Sequence, residues 1–158
     1  KMTLELDFLE LAEVLSAWKA QEVASRVNDW IVIGADTFVI CDNETLGKPW
    51  NEASARKMLQ KISWKKVSVI TGYTIIDREN DKKISKSRED FVYIKKLAEE
   101  EIDWYIRTWE PLDRAWAFAI QGFWALLVEK IEWDYHSVIW LPLASLFEDL
   151  KDFGIKVL

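Results

Sequence analysis

Glycine is scarce in this chain, with five in 158 residues against ten tryptophans, whereas average usage puts glycine alone at about 7%. Few positions are therefore free to take left-handed backbone without strain. Cys41 is the only cysteine, which excludes an intrachain disulfide and makes a reducing compartment, the cytoplasm, the expected location. His136 is the only histidine, and with no serine or cysteine nucleophile motif beside it a catalytic triad is not expected. No apolar run approaches the length of a membrane span, and the first residues lack a signal-peptide pattern, so no membrane partner is expected. Basic residues are outnumbered, 21 against 27 acidic, for a net charge of -6. That balance argues against a nonspecific nucleic-acid binder, which needs a basic face to displace counterions. An anionic substrate stays compatible with it if a few lysines gather in one cleft. With 50% hydrophobic and 30% charged residues, one compact domain spanning residues 1–158 is expected.

Apolar residues Leu4, Phe8, Leu11, Leu15, Val23 and Val27 recur at helical spacings and predict a helix closed by Asn28 and Asp29. The run WIVIGADTFVI over 30–40 is β-branched with no polar face, which predicts a buried strand, broken at Gly34 to Asp36. DNE then forms a hairpin-like turn, and Asn51 caps a helix over 52–62. KKVSVITGYTIIDREN and SKSREDFVYIKKL read as antiparallel strands, and AEEEIDWYIRT as a helix with acidic residues at the positive end of its dipole. WAFAIQG and FWALLVEKIE read as a further strand pair, and LASLFEDLKDFG as a last helix ended by Gly154. Helices and strands mix without a repeating crossover, so the expected class is α/β, a mixed central sheet with helices on its faces.

Four side chains stand out chemically. Asp36 follows VIGA where the strand is expected to break, a position suited to holding a divalent cation or orienting a water, although capping a turn is the commoner role for an aspartate there. Lys48, restrained by Gly47 and Pro49, suits a phosphate, although GKP is not a P-loop. Lys19 interrupts a helix face and suits the same anion; solvated surface lysines are the common alternative for both. Gln121, between apolar residues and Gly122, has a planar amide able to read the edge of a base or to bond neighbouring backbone.

In order, VIGADTFVI, LGKP, ARKMLQKIS, VSVITG, EPLDRA, AFAIQGF, LLVEKIE and LPL resemble the Maf family of nucleoside triphosphate pyrophosphatases, also called septum formation inhibitor proteins. The resemblance runs from about Leu15 to Gly154. It implies the inosine triphosphate pyrophosphatase-like fold, two α/β lobes about a cleft. It also implies hydrolysis of a nucleoside triphosphate to the monophosphate and pyrophosphate with magnesium or manganese. GADT and IQG look like the subgroup acting on dTTP and UTP. Matched by position, Asp36 is the family's metal-binding and catalytic aspartate, Lys19 the lysine of its KA helix, and Lys48 the GKP lysine. Gln121 and Thr37 are the substrate-binding matches. Relatives are often dimers, so a homodimer is among the expectations.

Two departures from the family pattern bear on competence. The family's opening SxSPRR phosphate loop has no counterpart, so the chain is expected to be truncated at its N-terminus relative to the family. Tryptophan stands at Trp64, Trp109, Trp116, Trp124, Trp133 and Trp140, where the family motifs place glycine. Both imply an alternative: an altered or engineered chain serving as a catalytically impaired nucleotide-binding scaffold. An intact mass decides whether those positions carry tryptophan.

Overall fold

A computed structural model describes residues 7–113 and 120–156. Helix α1 (Phe8–Ala24) opens on an Asp7 cap whose carboxylate accepts from the Glu10 amide at 2.8 Å while Glu10 reaches back to the Asp7 amide, a reciprocal capping box. Strands β1 (Ile31–Cys41) and β2 (Glu44–Leu46) follow, joined at Asp42 and Asn43, both of positive φ. Asn51 caps α2 (Glu52–Ile62) as the sequence predicts. Then come β3 (Lys66–Asp77), β4 (Lys82–Ile94), α3 (Glu99–Arg107) and the short α4 (Glu110–Asp113). A 3-10 turn (Gly122–Leu127), β5 (Val128–Glu132), α5 (Tyr135–Ile139) and α6 (Leu143–Asp152) complete the chain. The strands pair in the order β2-β1-β3-β4-β5. The α/β class is as expected.

The chain forms two compact units. One takes the chain up to Thr37, Ile70–Glu89 and the chain from Trp140 onward; the other takes Phe38–Val69 and Asp90–Ile139. In the first unit the strands alternate faces, as period-two geometry requires. Val32 and Ile76 pack on Ala20 and Ala24 of α1, while Tyr73 and Ile75 pack on Leu146, Leu150 and Phe153 around α6. The second unit buries Val39, Cys41, Val67, Val69, Val92 and Ile94 against Leu59 and Ile62 of α2 and Ile102, Tyr105 and Ile106 of α3.

The structure corrects three expectations. β1 is unbroken through Gly34, Ala35 and Asp36. Gly34 serves close packing: a Cβ there would lie 2.6 Å from the Ala20 nitrogen and the Ser16 oxygen of α1. The buried stripe of α1 is Ala12, Ser16, Ala20 and Ala24, while Leu9 and Val23 are exposed, so the large apolar residues that announce the helix do not mark its packed face. The strand expected over 116–122 lies largely outside the described residues, and the one expected from Phe123 begins only at Val128, after the 3-10 turn. Trp116 also lies outside the described residues.

Candidate functional site

Asp36 sits in mid-strand with its side chain 20% exposed, and the Lys19 ammonium donates to one of its carboxylate oxygens. Lys19 reaches it from α1 and also donates to the Ala35 carbonyl at 3.1 Å. The pair exists because α1 lies against the face of β1 that carries residues 34 and 36: the helix backbone touches Gly34, and Lys19, one residue before the packed Ala20, extends along the strand. Thr37 points to the opposite face. Its hydroxyl is 2.9 Å from that of buried Thr71 and donates to the Trp140 carbonyl at 3.3 Å. The structure thus joins Lys19 with Asp36 and commits the Thr37 hydroxyl elsewhere.

Lys48 and Gln121 belong to the second unit. Lys48 follows β2 and lines a surface pocket of about 330 Å³ with Ser54, Lys57, Met58 and Lys61. Lys61 is engaged by Glu44, so Lys48 and Lys57 supply the positive charge there. Gln121 is exposed, in extended backbone (φ -101°, ψ 159°) at the start of the 3-10 turn, and its side chain makes no capping hydrogen bond. Its amide is not consumed by the turn it introduces. Cys41 is buried, and burial, then the Asp42 carboxylate, push its thiol up, which removes it as a nucleophile.

No group of three or more histidine, cysteine, aspartate or glutamate side chains that would hold a metal by itself occurs among the described residues. The donor set at Asp36 still fits magnesium. This ion keeps most of its waters and takes one or two carboxylates plus substrate phosphate oxygens, and Asp36 has a second oxygen beyond the one that Lys19 engages. Among the described residues no helix is long and apolar enough to cross a membrane.

A cluster in the first unit carried no signal in the sequence. The Tyr73 hydroxyl donates to Asp149 at 2.6 Å and lies 2.7 Å from Ser145, and Lys86 pairs with the same carboxylate, whose side chain is 8% exposed. Burial opposes the charge on Asp149, but Lys86 and Tyr73 outweigh it and hold the carboxyl below its ordinary range. Burial and the same carboxylate push the Tyr73 hydroxyl up. The lowered carboxyl lends stability above the unfolded value of about 3.9, and loses it as pH falls through the folded one. Asp149→Asn is therefore expected to lower stability at neutral pH by about 1–3 kcal/mol. It should also flatten the fall in melting temperature between about pH 5 and 3. Melting curves that run parallel in wild type and variant across that range would refute the role.

The model of the Maf-like protein family matches residues 5–153. A dTTP/UTP pyrophosphatase of Methanosarcina barkeri is 44% identical over 142 residues, 90% of this chain and 72% of that protein. One of Methanococcoides burtonii is 43% identical over 153 residues, 97% of this chain and 78% of that protein. One of Geobacter sulfurreducens is 43% identical over 145 residues, 92% of this chain and 76% of that protein. Identity at this level over nearly the whole chain, on an α/β fold with Asp36 and Lys19 paired across its first strand and helix, means that the chain belongs to the Maf-like protein family.

Proposed function

We propose that the chain hydrolyses dTTP and UTP to the monophosphate and pyrophosphate. The observation that carries this reading is the Asp36 carboxylate, held on a packed strand beside an ammonium, in a chain whose relatives bear the name dTTP/UTP pyrophosphatase. Water attacks the α-phosphorus, the bond from that phosphorus to the oxygen bridging to the β-phosphate breaks, and pyrophosphate leaves with the bonding electrons. Asp36 takes the proton from the attacking water, and Lys19 fixes the carboxylate's orientation and offsets charge that develops on the phosphate. A magnesium or manganese ion arriving with the triphosphate would be held by the free oxygen of Asp36 and would supply further charge neutralisation. Lys48 binds phosphate oxygens, and the Gln121 amide reads the pyrimidine edge.

The test is release of pyrophosphate from dTTP and UTP, with CTP and 7-methyl-GTP as comparisons, in magnesium or manganese. Turnover of the first two supports the reading. No turnover, with a melting temperature that dTTP or UTP still raises as mass action requires, would instead support a nucleotide-binding scaffold. Charge-assisted hydrogen bonds are worth about 1.5–3 kcal/mol, so Lys48→Met is expected to raise KM for UTP roughly 10- to 100-fold. An unchanged KM would remove Lys48 from phosphate binding.

A further inference from the structure

Gln121 stands on a turn whose geometry is set by a residue eleven positions earlier in the sequence. Glu110 begins α4, directly after Trp109, and its own amide donates to the Thr108 hydroxyl at 3.3 Å. One carboxylate oxygen of Glu110 accepts from the Phe123 amide at 3.1 Å. The other accepts from the hydroxyl of fully buried Tyr105 at 3.4 Å, and the Tyr105 ring packs at 5.4 Å on buried Trp124. Gly122 lies between, with φ at +78°, and a Cβ there would stand 2.7 and 2.9 Å from the two Glu110 oxygens. The turn is therefore seated against the carboxylate on two counts, by a charge-assisted bond to the residue after Gly122 and by a contact that only a glycine permits.

We propose that Glu110 is a positioning residue for substrate recognition, holding the turn so that the Gln121 amide is presented to the edge of a uracil or thymine ring. The proposal rests on the reading above that Gln121 contacts the base. An exposed glutamine has several rotatable bonds and loses much of its freedom when it binds; a backbone held directly after it, at Gly122 and Phe123, reduces what must be ordered at that moment. Glu110 performs that task without touching substrate. The carboxylate is anchored at its own end by the α3–α4 junction and by Tyr105, so the anchor of the turn lies in the packed part of the second unit.

The experiment is a double-mutant cycle with UTP on the full chain, reading KM and kcat for Glu110→Ala, Gln121→Ala and the pair, with Glu110→Gln as the conservative variant and amide exchange at Phe123 as a readout free of substrate. Misplacing a contact by a fraction of an ångström to an ångström costs about tenfold or more. Glu110→Ala is thus expected to raise KM about tenfold with kcat little changed, and to speed exchange at Phe123. Glu110→Gln, which keeps an oxygen acceptor, recovers most of both. In the Gln121→Ala background the Glu110→Ala change has little further effect on KM, because the two act as one unit. Independent, multiplying effects would overturn the proposal, as would a normal KM in Glu110→Ala when Gln121→Ala raises it. If Gln121→Ala itself leaves KM unmoved, the base-reading role of Gln121 fails and the proposal with it. Exchange at Phe123 still shows in that case whether Glu110 holds the turn. Gly122→Ala gives a second route to the same result should Glu110→Ala fold poorly, since it drives the turn off the carboxylate from the other side.

Discussion

Asp36→Asn is expected to lower pyrophosphate release from dTTP and UTP by roughly 10²- to 10⁴-fold, the contribution of a positioned proton acceptor. Asparagine keeps the shape of the side chain but accepts no proton from an attacking water and holds a divalent cation poorly. Stability should barely move. The Lys19 side chain is 57% exposed and that of Asp36 20%, and ion pairs open to solvent contribute about 0–1 kcal/mol. For a domain of this size that corresponds to a shift of no more than about 4 °C in melting temperature. The large loss of rate beside a small loss of stability is what separates a reacting carboxylate from a structural one. Full activity in Asp36→Asn would end the assignment. A variant that loses rate only in proportion to a large loss of fold would make Asp36 structural. Lys19→Met should cost less than Asp36→Asn, because it removes orientation and positive charge but leaves the proton acceptor.

Asp36 stands out in the sequence as a candidate, on a reading of its strand that is only half right. Its surroundings, VIGA before and a β-branched run after, mark a strand, but a glycine inside a strand pattern has two meanings, a break or a close approach. The packing of α1 on Gly34 and Gly72 decides for the second: a Cβ on Gly72 would stand 2.2 Å from the Ala12 oxygen. The same packing explains why the apolar spacing of α1 pointed to the wrong face. A helix pressed onto glycines presents alanine and serine, and its leucines lie at the flanks. Contacts between distant residues were invisible from the start. The bond between Ser16 and Thr74 at 2.9 Å, the pair formed by Lys86 and Asp149, and the seat that Glu110 gives Phe123 each join residues that no local pattern links. Local signals did well where the structure is local. The Asn51 cap, the acidic first turn of α3 and the Gly154 terminus of α6, at φ +75°, are all where turn and capping chemistry puts them.

Replacing Trp64, Trp109 and Trp133 together by glycine is expected to raise the melting temperature by roughly 6–12 °C, at about 2–4 °C per kcal/mol for a domain of this size. All three have left-handed backbone, with φ at 57°, 62° and 92°, a conformation that costs an L-residue roughly 1–2 kcal/mol. Trp109 shows why. Its amide donates to the Ile106 carbonyl at 3.1 Å just past the end of α3, as the Gly154 amide donates to Lys151 at 2.9 Å past α6; both are helix-terminating positions that favour glycine. The indoles recover little of this cost, because the three residues are 74%, 66% and 75% exposed. Glycine adds freedom to the unfolded chain, worth about 0.4–1 kcal/mol against each exchange, which leaves a net gain of the order of 1 kcal/mol per site. Alanine at the same three positions separates backbone from surface: it removes the same aromatic area but keeps the strain, so its melting temperature should stay near that of the parent. Trp104→Gly, within α3 where the ring meets Phe123 edge-on at 5.4 Å, should instead destabilise, by about 1 kcal/mol for the helix alone. If the triple glycine and triple alanine variants melt together, left-handed strain is not what these tryptophans impose on the fold.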